Sequence, residues 1–200
     1  LDIYMDGKHV ESPTFAEGRE PVVVGLQVQW SFFSDWAFRV CGQALDWACA
    51  NNIHRLTDRE VVKYSGDIES RIEWEELFES VLDRLDEKRD HLSTLIEAAS
   101  EETLAFSDLP DGIGSELEGV SGGPWSALYY HLGLPAYLSE YAGTRLRSRA
   151  DDAYEPTWWD IHSAATYAVT HYDRSSRTSG GAYETHARIA NDMLVNPASM

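Results

Sequence analysis

The chain has 200 residues and carries 34 Asp+Glu against 16 Lys+Arg, a formal net charge of -18. Hydrophobic residues make up 43% and aromatic residues 12%, enough to close a core, so wholesale disorder is excluded despite the charge. No apolar run approaches the ~18 residues of a transmembrane helix, so no helical membrane partner is expected.

In chain order, Leu1–Met5 and Lys8–Val10 flank Asp6-Gly7, a hairpin turn dipeptide. Val22–Phe33 is the strongest strand. Leu26, Val28, Trp30 and Phe32 alternate with Gln27, Gln29 and Ser31, giving one buried and one polar face. From Gly42 the pattern reads as helical, with Leu45, Ala48 and Cys49 on one face and Asn51-Asn52 at its end. Thr57–Tyr64 reads as a short helix with a capping box from Thr57 and Glu60. The strongest helix is Glu73–Ala99, where Trp74, Leu77, Phe78, Val81, Leu82, Leu85, Leu92, Leu95 and Ile96 follow helical spacing. Ser107–Pro124 reads as a long loop, and Trp125–Tyr141 as helix broken at Pro135. Thr157 as N-cap and Asp160 at N3 open a further helix with Trp158, Ile161, Ala165, Ala168 and Val169. His171–Gly181 is predicted as loop and Ala182–Val195 as the closing helix. The expected fold class is α+β: a single domain over residues 1–200, with an N-terminal antiparallel sheet packed by helices and a helical C-terminal half. Residues 1–41 are expected to be mainly sheet and 42–200 mainly helical.

Only Lys8, Lys63 and Lys88 are lysines, and the other 13 basic residues are arginines. So acidic a surface repels itself at low salt. At about 1 M salt the Debye length falls to about 3 Å, and most of that repulsion disappears. Excess carboxylate with so little lysine points to an extreme halophile. On one helix Cys41 and Cys49 would stand about 12 Å apart, beyond the ~7 Å reach of a disulfide. They are expected to be reduced, and two thiols make no zinc pattern. The start Leu1–Lys8 has no basic, apolar leader pattern, and the expected location is cytoplasmic.

Catalytic motifs are sparse. There is no HExxH, no GxSxG, no phosphate loop, and no complete dinucleotide loop around Asp111–Gly114. No cofactor and no metal site are expected. His162 and His171, nine residues apart, fall on opposite faces of one helix. The arginines carry more information. Arg145, Arg147 and Arg149 alternate, and Arg174 and Arg177 precede Gly180-Gly181 and a helix N-terminus, a setting that suits anions. Aromatic residues lie close in sequence, and basic residues with aromatics suit single-stranded nucleic acid. The candidate nucleic-acid-binding set is therefore Arg145, Arg147, Arg149, Arg174 and Arg177, with Trp158 or Tyr172 stacking. The competing reading pairs these arginines with the abundant carboxylates.

Arg39-Val40-Cys41-Gly42-Gln43-Ala44-Leu45 after the strand Gly25–Ser34, and Trp159–His171 near the C-terminus, follow the order of elements in a known family. The chain resembles the plasmid- and phage-associated domain-of-unknown-function family nine-three-two. It departs from that pattern at Gln43, where the family has asparagine, and in lacking the glycine after the strand. The resemblance implies a mobile-element protein handling DNA and transfers no catalytic residue.

The expected function is a non-enzymatic, plasmid- or virus-associated DNA-binding protein of a halophile, engaging single strands or replication and recombination intermediates. The alternatives are a metal-dependent hydrolase using His162, His171 or His186, and a homo-oligomeric assembly protein that binds no nucleic acid.

Overall fold

The computed structural model describes residues 2–13, 19–30, 38–46, 51–54, 90–109, 113, 123–149, 155–173 and 180–195. Strands β1 (Asp2–Pro13), β2 (Arg19–Trp30), β3 (Phe38–Asp46) and β4 (Asn51–His54) join in the antiparallel order β1-β2-β3-β4. Asp6-Gly7 does not turn the chain. It lies inside β1, where the register against β2 shifts between Tyr4 and His9, a common place for glycine in a strand. The helical reading from Gly42 also gives way. Gly42–Asp46 stays in β3, with Leu45 opposite Val23 and Ala44 opposite Val24. Cross-strand pairing here overrides a weak local helical pattern. Thr57–Tyr64 and the first part of the long helix, residues 73–89, lie outside the described residues.

Residues 90–101 form helix α1, followed by α2 (Gly123–His131), α3 (Ala136–Arg149), α4 (Trp158–Tyr172) and α5 (Gly180–Val195). Each gives an apolar stripe to one buried core: Leu92, Ile96 and Ala99 from α1; Trp125, Leu128 and Tyr129 from α2; Leu138, Ala142 and Leu146 from α3; Ile161, Ala165 and Ala168 from α4; Ala187, Ala190 and Leu194 from α5. Spacings of three and four residues place each set on one helix face. Burying one such Leu or Ile side chain is worth about 1.5–3 kcal/mol.

This corrects the α+β expectation. Among the described residues, 90–194 contain helices and no strand, and their core is helix on helix. β4 approaches α4 and α5, yet the apolar stripes of the helices close on one another. The physical reason is the aromatic load. Trp125, Tyr129, Trp158 and Trp159 are buried in this helical core.

The termini follow local chemistry. α2 ends in a Schellman turn at Gly133 (φ +98°): Leu134 N–H donates to Tyr129 O and Gly133 N–H to Tyr130 O. Glycine enters that left-handed conformation without steric cost. Pro135 then stands just before the first turn of α3. At α4 the expected capping box is present. The Thr157 hydroxyl accepts from Asp160 N–H, and Asp160 accepts from Thr157 N–H at 2.9 Å. The same end of α4 is tied to residues 102–104. Leu104 N–H donates to Pro156 O and Trp158 N–H to Glu102 O, around a Thr103–Thr157 bridge.

Candidate functional site

α3 and α4 run antiparallel, and three residues of α3 meet the last turns of α4. Arg145 holds its guanidinium carbon 3.4 Å from the centroid of the Tyr167 ring. Tyr141 stacks on Tyr172 with centroids 4.0 Å apart and planes 8° from parallel. The Tyr137 hydroxyl donates to Asp173 Oδ1 over 2.9 Å. Residues four apart project from one side of a helix, so Tyr137, Tyr141 and Arg145 form a single row along the seam.

His171 also stacks on Tyr167, with centroids 4.1 Å apart. Two groups so close to one centroid occupy opposite faces, so Tyr167 lies between a guanidinium and an imidazole. Partial burial, then the Arg145 charge, hold the His171 pKa below its ordinary value. The hydrogen bond with Tyr167 raises the Tyr172 phenol above its ordinary value. At neutral pH both shifts favour the uncharged forms of His171 and Tyr172. Tyr141 is 41% and Tyr172 38% exposed, so the stack presents ring surface to solvent.

Beneath the stack lies Asp173, the C-cap of α4, with a fully buried side chain. Besides Tyr137 it engages His186 of α5, where Nδ1 lies 2.6 Å from Oδ2. Tyr183, half-buried on the same helix, has its phenol raised, chiefly by burial.

The expected residues separate. Arg145 and Tyr172 join the row. Arg147, about 200° further round the helix, reaches instead to Gly123 at the start of α2. Arg149 closes α3 one turn beyond Arg145, with its side chain outside the description. Arg174 and Arg177 lie outside the described residues. Trp158 is 5% exposed and belongs to the core, about 21 Å along α4 from Tyr172, so it offers no ring face for stacking.

The three histidines of the hydrolase alternative serve different neighbours. His162 is fully buried, with Nε2 3.4 Å from Asn191 Oδ1, and burial lowers its pKa to about 4. His171 lies on Tyr167 and His186 on Asp173. Among the described residues no three His, Cys, Asp or Glu side chains converge as a metal site would require.

Tyr137 and Tyr141 are not among the expected site residues, although Tyr137, Tyr141, Arg145 and Arg149 recur at i, i+4, and His171 was expected only as a metal ligand. The alternation of Arg145, Arg147 and Arg149 has a period of two and means nothing on a helix. The Asp173–His186 pair spans a connector and carried no sequence signal. Chemically, the row can stack a planar ring and offer a guanidinium to an anion beside it. No helix among the described residues is long and apolar enough to cross a membrane. Set against models of known families, curated proteins and solved structures, the chain has no significant match.

Proposed function

We propose that this chain binds single-stranded nucleic acid through the α3–α4 seam, as a non-enzymatic, plasmid- or virus-associated protein of a halophile. The observation that carries the reading is the exposed Tyr141–Tyr172 stack beside Arg145. A base laid on an exposed tyrosine continues the stack and gains about 1–3 kcal/mol whatever its identity. A guanidinium held over an aromatic ring has its planar N–H fork restrained, and that fork suits phosphate. Arg174 and Arg177 follow Tyr172 closely in sequence and belong to the same proposal. The resemblance of Arg39–Leu45 and Trp159–His171 to a mobile-element family agrees with it. The net charge of -18 opposes polyanion binding at long range. In molar salt that repulsion is screened within about 3 Å, while ring stacking persists.

The test is fluorescence anisotropy with labelled single- and double-stranded DNA in molar KCl and at lower salt where the fold survives. Saturable binding, tighter for single strands and weakened by Tyr172→Ala, is expected. Absence of binding at every salt that preserves the fold overturns the reading. The second reading, self-assembly, rests on the exposed Tyr130, Tyr137, Tyr141 and Tyr172. Light scattering decides it, since a monomer at every salt tested rules it out.

A further inference from the structure

Asp173 occupies a place that helix electrostatics oppose. It caps the C-terminus of α4, where unpaired carbonyls concentrate negative charge and where glycine, asparagine or a cation is the favourable choice. Its carboxylate is moreover completely buried. A buried carboxylate at the negative end of a helix is retained only if strong partners hold it. Two of its partners come from two different helices: the Tyr137 hydroxyl of α3 at 2.9 Å and His186 Nδ1 of α5 at 2.6 Å.

The identity of those partners matters. Tyr137 is one helical turn before Tyr141, and Asp173 is the residue after Tyr172. The contacts Tyr137–Asp173 and Tyr141–Tyr172 are thus consecutive rungs between the same two segments. Ring stacking alone permits sliding, because offset stacks differ little in energy. A hydrogen bond to a buried carboxylate does not, because its direction and length are fixed.

We propose that Asp173 is a positioning residue for the ligand-stacking surface, fixing Tyr172 against Tyr141 by binding Tyr137 and His186. The proposal rests on the nucleic-acid reading of the seam and adds what holds the platform in register. Asp173 touches no ligand. It acts through the end of α4, so the platform is formed before a base arrives and little ordering is left for the binding step.

The experiment uses the full chain in molar KCl with two readouts: near-ultraviolet circular dichroism of the tyrosines without ligand, and titration of a labelled oligodeoxythymidine. Asp173→Ala removes both ties, and Tyr137→Phe removes one while keeping the ring. The dichroism of the stack should fall in both variants. Affinity should fall roughly tenfold in the first and roughly threefold in the second, as expected when pre-organisation is lost. The fraction of active protein and the salt slope should stay as in the parent, since no phosphate contact is touched. A variant that is merely unstable shows fewer active molecules of parental affinity, and that result overturns the proposal. Unchanged dichroism and affinity in both variants overturn it as well. If Asp173→Ala does not fold, Tyr137→Phe decides by the same criteria. If the parent binds no oligonucleotide, the nucleic-acid reading fails, and the dichroism still decides whether Asp173 sets the register of the stack.

Discussion

Arg145 reaches over the Tyr167 ring across the α3–α4 seam, the guanidinium carbon 3.4 Å from the ring centroid. A lysine ammonium has no plane to lay on that ring and no fork to present beside it. Arg145→Lys should therefore lose nearly as much single-strand affinity as Arg145→Ala, each roughly five- to tenfold. Arg145→Ala should reduce the salt slope by about one, the signature of one lost phosphate contact. Anisotropy titrations across a KCl series measure both quantities. Parental affinity in the lysine variant would show that charge alone suffices.

A second prediction concerns the α2–α3 crossing. A Cβ added at Gly143 would lie 2.7 Å from Ser126 N and 2.9 Å from Ser126 Cα. Both are backbone atoms of a buried helix and cannot swing aside. Gly143→Ala should destabilise the protein by about 2–3 kcal/mol through overpacking, despite the better helix propensity of alanine. Urea denaturation reads this as a lower midpoint with an unchanged slope. Trimming the serine as well, in Gly143→Ala with Ser126→Gly, should restore little, because the backbone contacts remain.

The third follows from His162, buried with its pKa lowered to about 4 from an ordinary 6.5. The unfolded chain binds a proton at this residue first, so stability falls as pH drops below about 6.5 and levels off below the folded value. Each unit within that window costs up to about 1.4 kcal/mol, about 3 kcal/mol in all. Carboxylates titrate too, so the comparison is between the parent and His162→Gln. Unfolding free energy measured from pH 7.5 to 4 should fall less steeply in the variant, by this difference. Parallel curves would mean that His162 takes up no extra proton on unfolding.

Thr157 supplies the fourth. Its hydroxyl accepts from Asp160 N–H while Asp160 accepts from Thr157 N–H. Removing the hydroxyl in Thr157→Ala should cost about 1 kcal/mol, the usual value of an N-cap. Thr157→Ser should recover most of it. Thermal unfolding of the three proteins is the measurement, and a serine variant as weak as the alanine would deny the cap its role.

The α4 start was legible in the sequence because a capping box is local: Thr157 and Asp160 announce it within four residues. So was the break between α2 and α3, which Pro135 marks. The fold class was not legible. Alternating apolar residues predict a strand, but they do not say what covers the helices, and the core is made by aromatic and aliphatic stripes closing on one another. At the site, Arg145 and Tyr172, expected together only as part of an unsorted group, both lie against Tyr167. Arg147 left that group for Gly123 and Trp158 for the core, because position around a helix decides neighbours more than proximity along the chain. Asp173 and His186, thirteen residues apart in sequence, meet only once α4 and α5 have packed.

The ties at residues 102–104 give the seam a further property. α4 is bonded through its first turn to the stretch that follows α1 and through Asp173 to α3 and α5 at the other end. A helix fixed at both ends is a strut. A pull on Tyr172 that unwinds the last turn of α4 has to break the Asp173 contacts. It is passed along the axis to the Glu102 and Leu104 hydrogen bonds. The Tyr141–Tyr172 stack and the far end of the helical unit are therefore mechanically in series.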